Sequence, residues 1–313
     1  MHTTFGVTLV QMTVLFIFMA AGYALRKFNI LPDASGSAGG TLSKLEMYIF
    51  LPALCFNTFS SNLTPQIFRE KLPLLLWSVA ILAVVFALSF PLTRIFTRDK
   101  NTAAIYIYAF TIPNLGYLGY PLVGAVFGEA ALLDFMIFTL PFNLFIYTVG
   151  MYILNPKHEF SLKSLLNPIL ISIFLGSVAG LLELTMPEVI SKTLSTAAAC
   201  MGPVAMILTG IVLARNPLRD MLSNGRMYIA ALIRLLILPA LGGLVMYLIG
   251  ADKYISLITV CMLALPMGLN NVVFPEAFGG DSRTGAQSCF ISNLMGIVTI
   301  PFVYMAVEKI FAG

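Results

Sequence analysis

Long apolar runs dominate the chain, interrupted by charge, proline or glycine. A bilayer-crossing helix needs about 20 mostly apolar residues. Runs of that length fall at about 5–26, 38–59, 71–96, 102–127, 130–153, 165–184, 189–213, 227–249, 253–279 and 284–310. They predict an all-α membrane protein with ten spans joined by short connections. Only Asn155–Lys163 and Arg215–Gly225 read as sizeable exposed loops, so no soluble domain is expected on either side. The first run has no Lys or Arg ahead of it and Arg26-Lys27 directly behind, the layout of a retained helix and not of a cleaved signal peptide.

Placing the basic residues on these spans orients the chain. The loops after spans 1, 3, 5, 7 and 9 hold Arg26, Lys27, Lys44, Arg94, Arg98, Lys100, Lys157, Lys163, Arg215, Arg219, Arg226 and Arg283. The termini and the other loops hold only Arg69, Lys71, Lys192, Lys253 and Lys309, and Arg234 is inside a span. By the positive-inside rule both termini face outward from a plasma membrane.

Composition agrees with lipid as the main solvent. Apolar residues make up 59% of the 313 and charged ones 10%, against roughly 25% charged in a soluble domain. Mean hydropathy is +0.92. A disordered chain and a nucleic-acid-binding protein with a dense basic footprint are both excluded. Cys55, Cys200, Cys261 and Cys289 lie in apolar runs without a CxxC pair, so neither a disulfide nor a metal framework is expected and no cofactor is implied.

Two runs carry helix breakers at their centres. The fourth contains Thr111-Ile-Pro-Asn-Leu-Gly-Tyr-Leu-Gly-Tyr-Pro, and the ninth Leu265-Pro-Met-Gly-Leu-Asn-Asn-Val-Val-Phe-Pro. Pro113 aligns with Pro266 at an offset of 153, and Phe127-Gly128 with Phe278-Gly279 at 151. The chain thus divides into five-span halves at 1–153 and 165–313 with a cytoplasmic linker at 154–164. Five being odd, the halves are inverted relative to each other, an architecture found in transporters.

Each proline removes a helix N–H, and the freed backbone groups cannot face lipid. They line a cavity or pack on protein, most economically where the two breaks cross. Half-helices starting after Asn114 and after Asn270-Asn271 would aim N-terminal partial charges and side-chain amides at that cavity, which suits an anion. The predicted binding residues are Pro113, Asn114, Leu115, Gly116, Pro266, Gly268, Asn270 and Asn271. A proline kink that serves packing alone explains one such interruption; two in corresponding spans favour the cavity.

The motif Pro113-Asn114, Gly119-Tyr120-Pro121-Leu122 and Phe127-Gly128, with Pro266, Val272-Val273-Phe274 and Phe278-Gly279, resembles the auxin efflux carrier family, which includes bacterial permeases for malonate and malate. Leu51-Pro52-Ala53-Leu54, Asn167-Pro168 and Thr299-Ile300-Pro301 extend the resemblance over essentially the whole chain. It implies a fold like that of bile-acid sodium symporters, in which spans 1, 2, 6 and 7 form a scaffold that dimerises and spans 3–5 and 8–10 a moving transport core. It also implies that asparagines at the crossing hold a substrate carboxylate: Asn114 directly, and Asn270 or Asn271 in span 9. Pro275, where family members often carry a small residue, is a departure that leaves the start of the second half-helix open. The stretch from Asn155 to Leu166 is short, as in bacterial members.

Other polar residues in spans have two readings each. Arg234 lies about eight residues past Arg226, roughly 12 Å deep at 1.5 Å per residue, and either meets a carboxylate substrate or snorkels to the surface. Glu276 and Glu46 are coupling groups or helix-end carboxylates, Glu46 being placed near the cytoplasmic end of span 2. Gln287, Ser288, Ser292 and Asn293 either face the core as coupling groups or make ordinary interhelical hydrogen bonds. The coupling ion, proton or sodium, is left open.

Enzyme motifs are missing: His2 and His158 stand outside any HExxH, Phe278-Gly279-Gly280-Asp281 fails the Gly-x-Gly-Asp pattern, and there is no Walker A sequence. The expectation is a secondary transporter or facilitator for small mono- or dicarboxylates, such as malonate, malate or auxin-like acids, working by elevator-like alternating access as a homodimer. An anion channel or a transporter-like membrane sensor is the alternative.

Overall fold

A computed structural model of the chain describes residues 4–31, 38–157, 166–215 and 217–311. Most of the expected linker, residues 158–164, lies outside these, as do His2, His158 and Lys163. The described residues form helices without strands: α1 (Thr4–Lys27), α2 (Ala38–Leu45), α3 (Leu51–Asn62), α4 (Pro65–Phe96), α5 (Lys100–Thr111), α6 (Tyr120–Phe127), α7 (Glu129–Phe145), α8 (Met151–Leu154), α9 (Pro168–Leu181), α10 (Glu188–Leu213), α11 (Leu218–Leu222), α12 (Gly225–Leu232), α13 (Leu238–Leu248), α14 (Lys253–Leu263), α15 (Asn270–Phe278) and α16 (Ser282–Phe311). Among the described residues six helices are long and apolar enough to cross a membrane: Thr4–Lys27, Pro65–Phe96, Glu129–Leu154, Glu188–Leu213, Gly225–Leu248 and Ser282–Val307.

Helix occupies each of the ten apolar runs, with differences at their ends. α4 begins at Pro65 and not at 71, because Thr64 caps it by accepting from Ile67 N at 3.2 Å and Pro65 supplies a pre-set first residue. The expected loop Arg215–Gly225 contains the one-turn helix α11.

Four π-helical turns join the helices: Glu46–Phe50, Leu115–Gly119, Ile146–Gly150 and Ile233–Ile237. In three of them a proline stands two residues beyond the turn, at Pro52, Pro121 and Pro239. Such a proline cannot donate to the carbonyl four residues back and its ring crowds that carbonyl. The helix widens by one residue, and the N–H just before each proline reaches back five: Leu51 to Glu46, Tyr120 to Leu115 and Leu238 to Ile233.

The helices pack in two groups, which α1 joins by lying on α16 as well as on α10. α1 lies on α10, and α3 on α9 and α10, where backbones approach at glycine: a Cβ at Gly22 would strike the Ile207 backbone, and one at Gly180 would strike the carbonyls of Phe59 and Leu63. In the second group α4 packs on α5 and α7, α6 on α7, α13 on α14, and α15 and α12 on α16. A triad around the buried Asp134 ties part of this group together. Asp134 of α7 accepts from Lys71 Nζ of α4 at 2.7 Å and from Tyr254 Oη of α14 at 2.5 Å.

Gly22→Ala is expected to destabilise the detergent-solubilised protein by about 1–3 kcal/mol through overpacking. Gly225→Ala, where an added Cβ meets nothing within 4 Å, serves as the near-neutral control, and thermal unfolding of both variants checks the difference.

Candidate functional site

The two interrupted helices meet back to back. α5 ends at Thr111 and helix resumes at Leu115; α14 ends at Leu263 and helix resumes at Asn270. Between them Pro113 and Met267 form an isolated antiparallel bridge, with Asn114 N donating to Pro266 O at 2.8 Å. Met267 N donates to Ser292 Oγ of α16 at 3.0 Å. The freed backbone is thus satisfied inside the protein, as a buried break requires. Gly268 packs against the Pro113 carbonyl, a Cβ there coming within 3.3 Å of it.

The second half-helices present their first turns to a common cavity of about 90 Å³. First-turn N–H groups have no carbonyl ahead of them in the helix, and both N-termini carry partial positive charge. Pro113, Asn114, Leu115, Gly116, Gly268 and Asn270 all line the cavity, together with Ser43, Glu46, Tyr117, Asn143 and Tyr147. Its volume holds a handful of waters and is far below the roughly 300–1,000 Å³ of a drug-sized ligand pocket. Asn114 is buried with neither amide atom hydrogen-bonded.

The structure separates the two asparagines of α15. Asn270 faces the cavity, whereas Asn271 is fully buried and donates from Nδ2 to Ser288 Oγ at 3.1 Å. The half-helix starts at Asn270 itself, earlier than expected, with Leu269 as its cap residue, so Pro275 is its sixth residue and lies past the first turn. The proline leaves the Asn271 carbonyl without its usual helical donor, and Gly285 of α16 packs directly on that carbonyl, where any Cβ would collide.

Pro266, like Asn271, does not line the cavity, its carbonyl serving the Asn114 N–H instead, and four further predicted residues stand away from it. Arg234 is completely buried and does not snorkel: Nε donates to Leu265 O at 3.2 Å and Nη1 to Phe110 O at 2.9 Å. It sits behind the crossing and bridges the C-terminal ends of the two first half-helices, where carbonyls lack intrahelical donors and the helix dipoles are negative. Glu276 is half exposed and paired with Arg215 at 2.5 Å. Gln287 donates to Asp220 O at 2.8 Å and accepts from Asn224 at 2.9 Å, holding α16 to the α11 loop. Asn293 turns back on its own helix, donating to Cys289 O at 2.7 Å. With Ser288 and Ser292 bracing the α14–α15 break, the polar face of α16 makes interhelical and intrahelical bonds.

Glu46 needs the opposite correction. Expected near a helix end, it is 1% exposed, lines the cavity, and has no hydrogen-bond partner at either carboxylate oxygen. Tyr117, Asn143 and Tyr147 were also not singled out from sequence. Asn143 donates to Tyr120 Oη at 2.7 Å, and that hydroxyl lies 3.1 Å from Thr139 Oγ1. Among the described residues no group of three or more His, Cys, Asp or Glu is placed to hold a metal ion.

Arg234→Met removes two charge-assisted hydrogen bonds, each worth about 1.5–3 kcal/mol, and is expected to lower Tm markedly. Arg234→Lys is expected to recover only part of the loss, since an ammonium lacks the planar fork that spans both carbonyls. Thermal unfolding of the two variants beside wild type checks this order.

Comparison with known proteins points to membrane transport. A family model described as membrane transport protein matches residues 7–162 and 158–304. A Rhizobium meliloti (strain 1021) protein named "Putative malonate transporter" is 26% identical over 284 residues, covering 86% of this chain and 87% of its own. An Escherichia coli (strain K12) protein named "Uncharacterized transporter YfdV" is 22% identical, covering 93% of this chain and 95% of its own. An uncharacterized transporter of Methanocaldococcus jannaschii is also 22% identical, over 92% of this chain and 94% of its own. With matches spanning nearly its whole length and several helices fit to cross a bilayer, the chain is a multi-pass membrane protein that belongs to the membrane transport protein family of auxin efflux carriers.

Proposed function

We propose that this protein is a secondary transporter of small organic anions, mono- or dicarboxylates such as malonate or malate first. The observation that carries the proposal is the convergence of two half-helix N-termini and the unpartnered Asn114 amide on one small cavity. Helix-start dipoles and an unpartnered side-chain amide attract an anion without a buried counter-charge. The name of the Rhizobium meliloti relative supports the same substrate class.

The cavity lies inside ten spans arranged as two inverted repeats, 1–153 and 165–313, joined by the linker 154–164. Local structure supports the repeat. Asp99 caps α5 through Thr102 N, and Asp252, at the same offset of 153 that relates Pro113 to Pro266, caps α14 through Tyr254 and Ile255 N. The contacts α4–α5 and α6–α7 recur as α13–α14 and α15–α16. α1, α3, α9 and α10 act as a dimerising scaffold, and the remaining spans as the core that carries the site across. With both termini outside a plasma membrane, α9 starts on the cytoplasmic side, and Ile169 at its start supports a cavity that opens toward the cytoplasm.

Purified protein in liposomes is expected to show saturable uptake and counterflow of labelled malonate. Asn114→Ala is expected to cut it ten- to hundredfold, the cost of about 1.5–3 kcal/mol for a hydrogen bond to a charged group, while the protein remains folded. Asn270→Ala is expected to impair uptake more than Asn271→Ala leaves binding impaired. Unchanged uptake in Asn114→Ala would sink the site, and flux that shows no counterflow would indicate a channel.

A further inference from the structure

The cavity that faces an anion with amides also holds an acid. Glu46 stands in the π-helical turn ahead of Pro52, and its two carboxylate oxygens are buried in the cavity wall without partners. An ionised carboxylate only accepts hydrogen bonds and offers an incoming anion nothing but repulsion; a protonated one donates. Two carboxylates confined in one water-poor site do not both stay ionised.

The surroundings offer no counter-charge to Glu46. The ionisable side chains lining the cavity besides it are Tyr117 and Tyr147. On its own helix Lys44 is exposed, and α3 contributes the buried Cys55. α9 has no ionisable residue. α10 carries Cys200, together with Glu188 and Lys192, which are exposed and paired with each other in its first turns. It is the other half of α10 that adjoins α2, since Leu42 packs with Leu208 and Val212. Arg234 is the buried cation of the core, but it is held on the Phe110 and Leu265 carbonyls behind the crossing and does not line the cavity.

We propose that protonation of Glu46 opens the cavity to the substrate: the cavity accepts a carboxylate when Glu46 is protonated and turns it away when Glu46 is ionised. This rests on the anion-binding reading of the cavity and adds a proton requirement to it. The proton comes from water on the side to which the cavity opens, neutralises the one acid in the wall and turns it into a further donor beside Asn114 and Asn270.

The test compares malonate binding to the purified full-length wild type, Glu46→Gln and Glu46→Asp between pH 5 and pH 8.5, with sodium and with choline. The titration of malonate itself is common to all three proteins and cancels in the ratio of their affinities. Relative to Glu46→Gln, wild-type affinity is expected to fall tenfold per pH unit once Glu46 ionises. Glu46→Asp keeps that slope with a displaced midpoint, and replacing sodium with choline changes nothing. In liposomes malonate counterflow by wild type is expected to slow, relative to Glu46→Gln, as the pH on the side to which the cavity opens is raised.

A wild type and Glu46→Gln with the same pH dependence would overturn the proposal and leave the anion site standing, as would affinity governed by sodium. Infrared difference spectra give a second readout that stands even if Glu46→Gln misfolds. A carboxylic acid band that appears on malonate binding to wild type and shifts in Glu46→Asp is the expected result, and malonate binding without that band overturns the proposal. Absence of carboxylate binding in every variant at every pH would overturn the anion reading, and this proposal with it.

Discussion

Inside a bilayer a backbone N–H or C=O has no water to turn to, so every interruption of a helix must be repaired from within the protein. Much of this molecule is arranged around that requirement. Pro113 and Pro266 open two helices at their middles, and the repairs are specific: an Asn114–Pro266 backbone bond, Ser292 beneath Met267, and Arg234 across the Phe110 and Leu265 carbonyls. Arg234 is costly to bury, yet its place at two negative helix ends gives it partners that no lipid-facing position offers. What the repairs leave over is the Asn114 side-chain amide at the start of a second half-helix, beside two positive helix ends.

The crossing also explains how a chain with so few charged residues forms a polar site. Fixed backbone dipoles and amides supply attraction without the desolvation cost of an ionised side chain. Polar residues in the surrounding helices do supporting work: Ser288 holds Asn271, Gln287 holds the α11 loop, and Asn143 joins Tyr120 below the cavity. The Asp134–Lys71–Tyr254 triad stands apart from the cavity and links three helices of the same packing group.

Much of this was legible in the sequence, because length of apolar run and the helix-breaking power of proline are local properties. The positions of the ten runs, the two breaks, and the cavity-lining role of Pro113, Asn114, Gly116, Gly268 and Asn270 follow from them. Side-chain direction was not legible. Arg234 and Glu46 both lie in π-helical turns, where the face a residue presents departs from the regular 3.6-residue count, so depth along the helix said nothing about what they face. The choice between Asn270 and Asn271 stayed open for a related reason, since it depended on where α15 begins, which the path of the chain before it decides. Gln287 and Asn293 read as facing a pathway because polar spacing on a helix does not distinguish a ligand from a neighbouring helix.

The π-helical turns carry a consequence for how such a chain tolerates change. Each amounts to one residue more than an α-helix needs between fixed neighbours, so a single deletion within Glu46–Phe50 restores regular winding without touching any other side chain. What changes lies inside the turn: at 3.6 residues per turn, one residue is about 100° of rotation, enough to move Glu46 to another face while α2 and Pro52 keep theirs. At these three proline-linked turns, length is therefore as strong a determinant of cavity chemistry as residue identity, and a gap of one position in an alignment of relatives marks a rewired cavity wall.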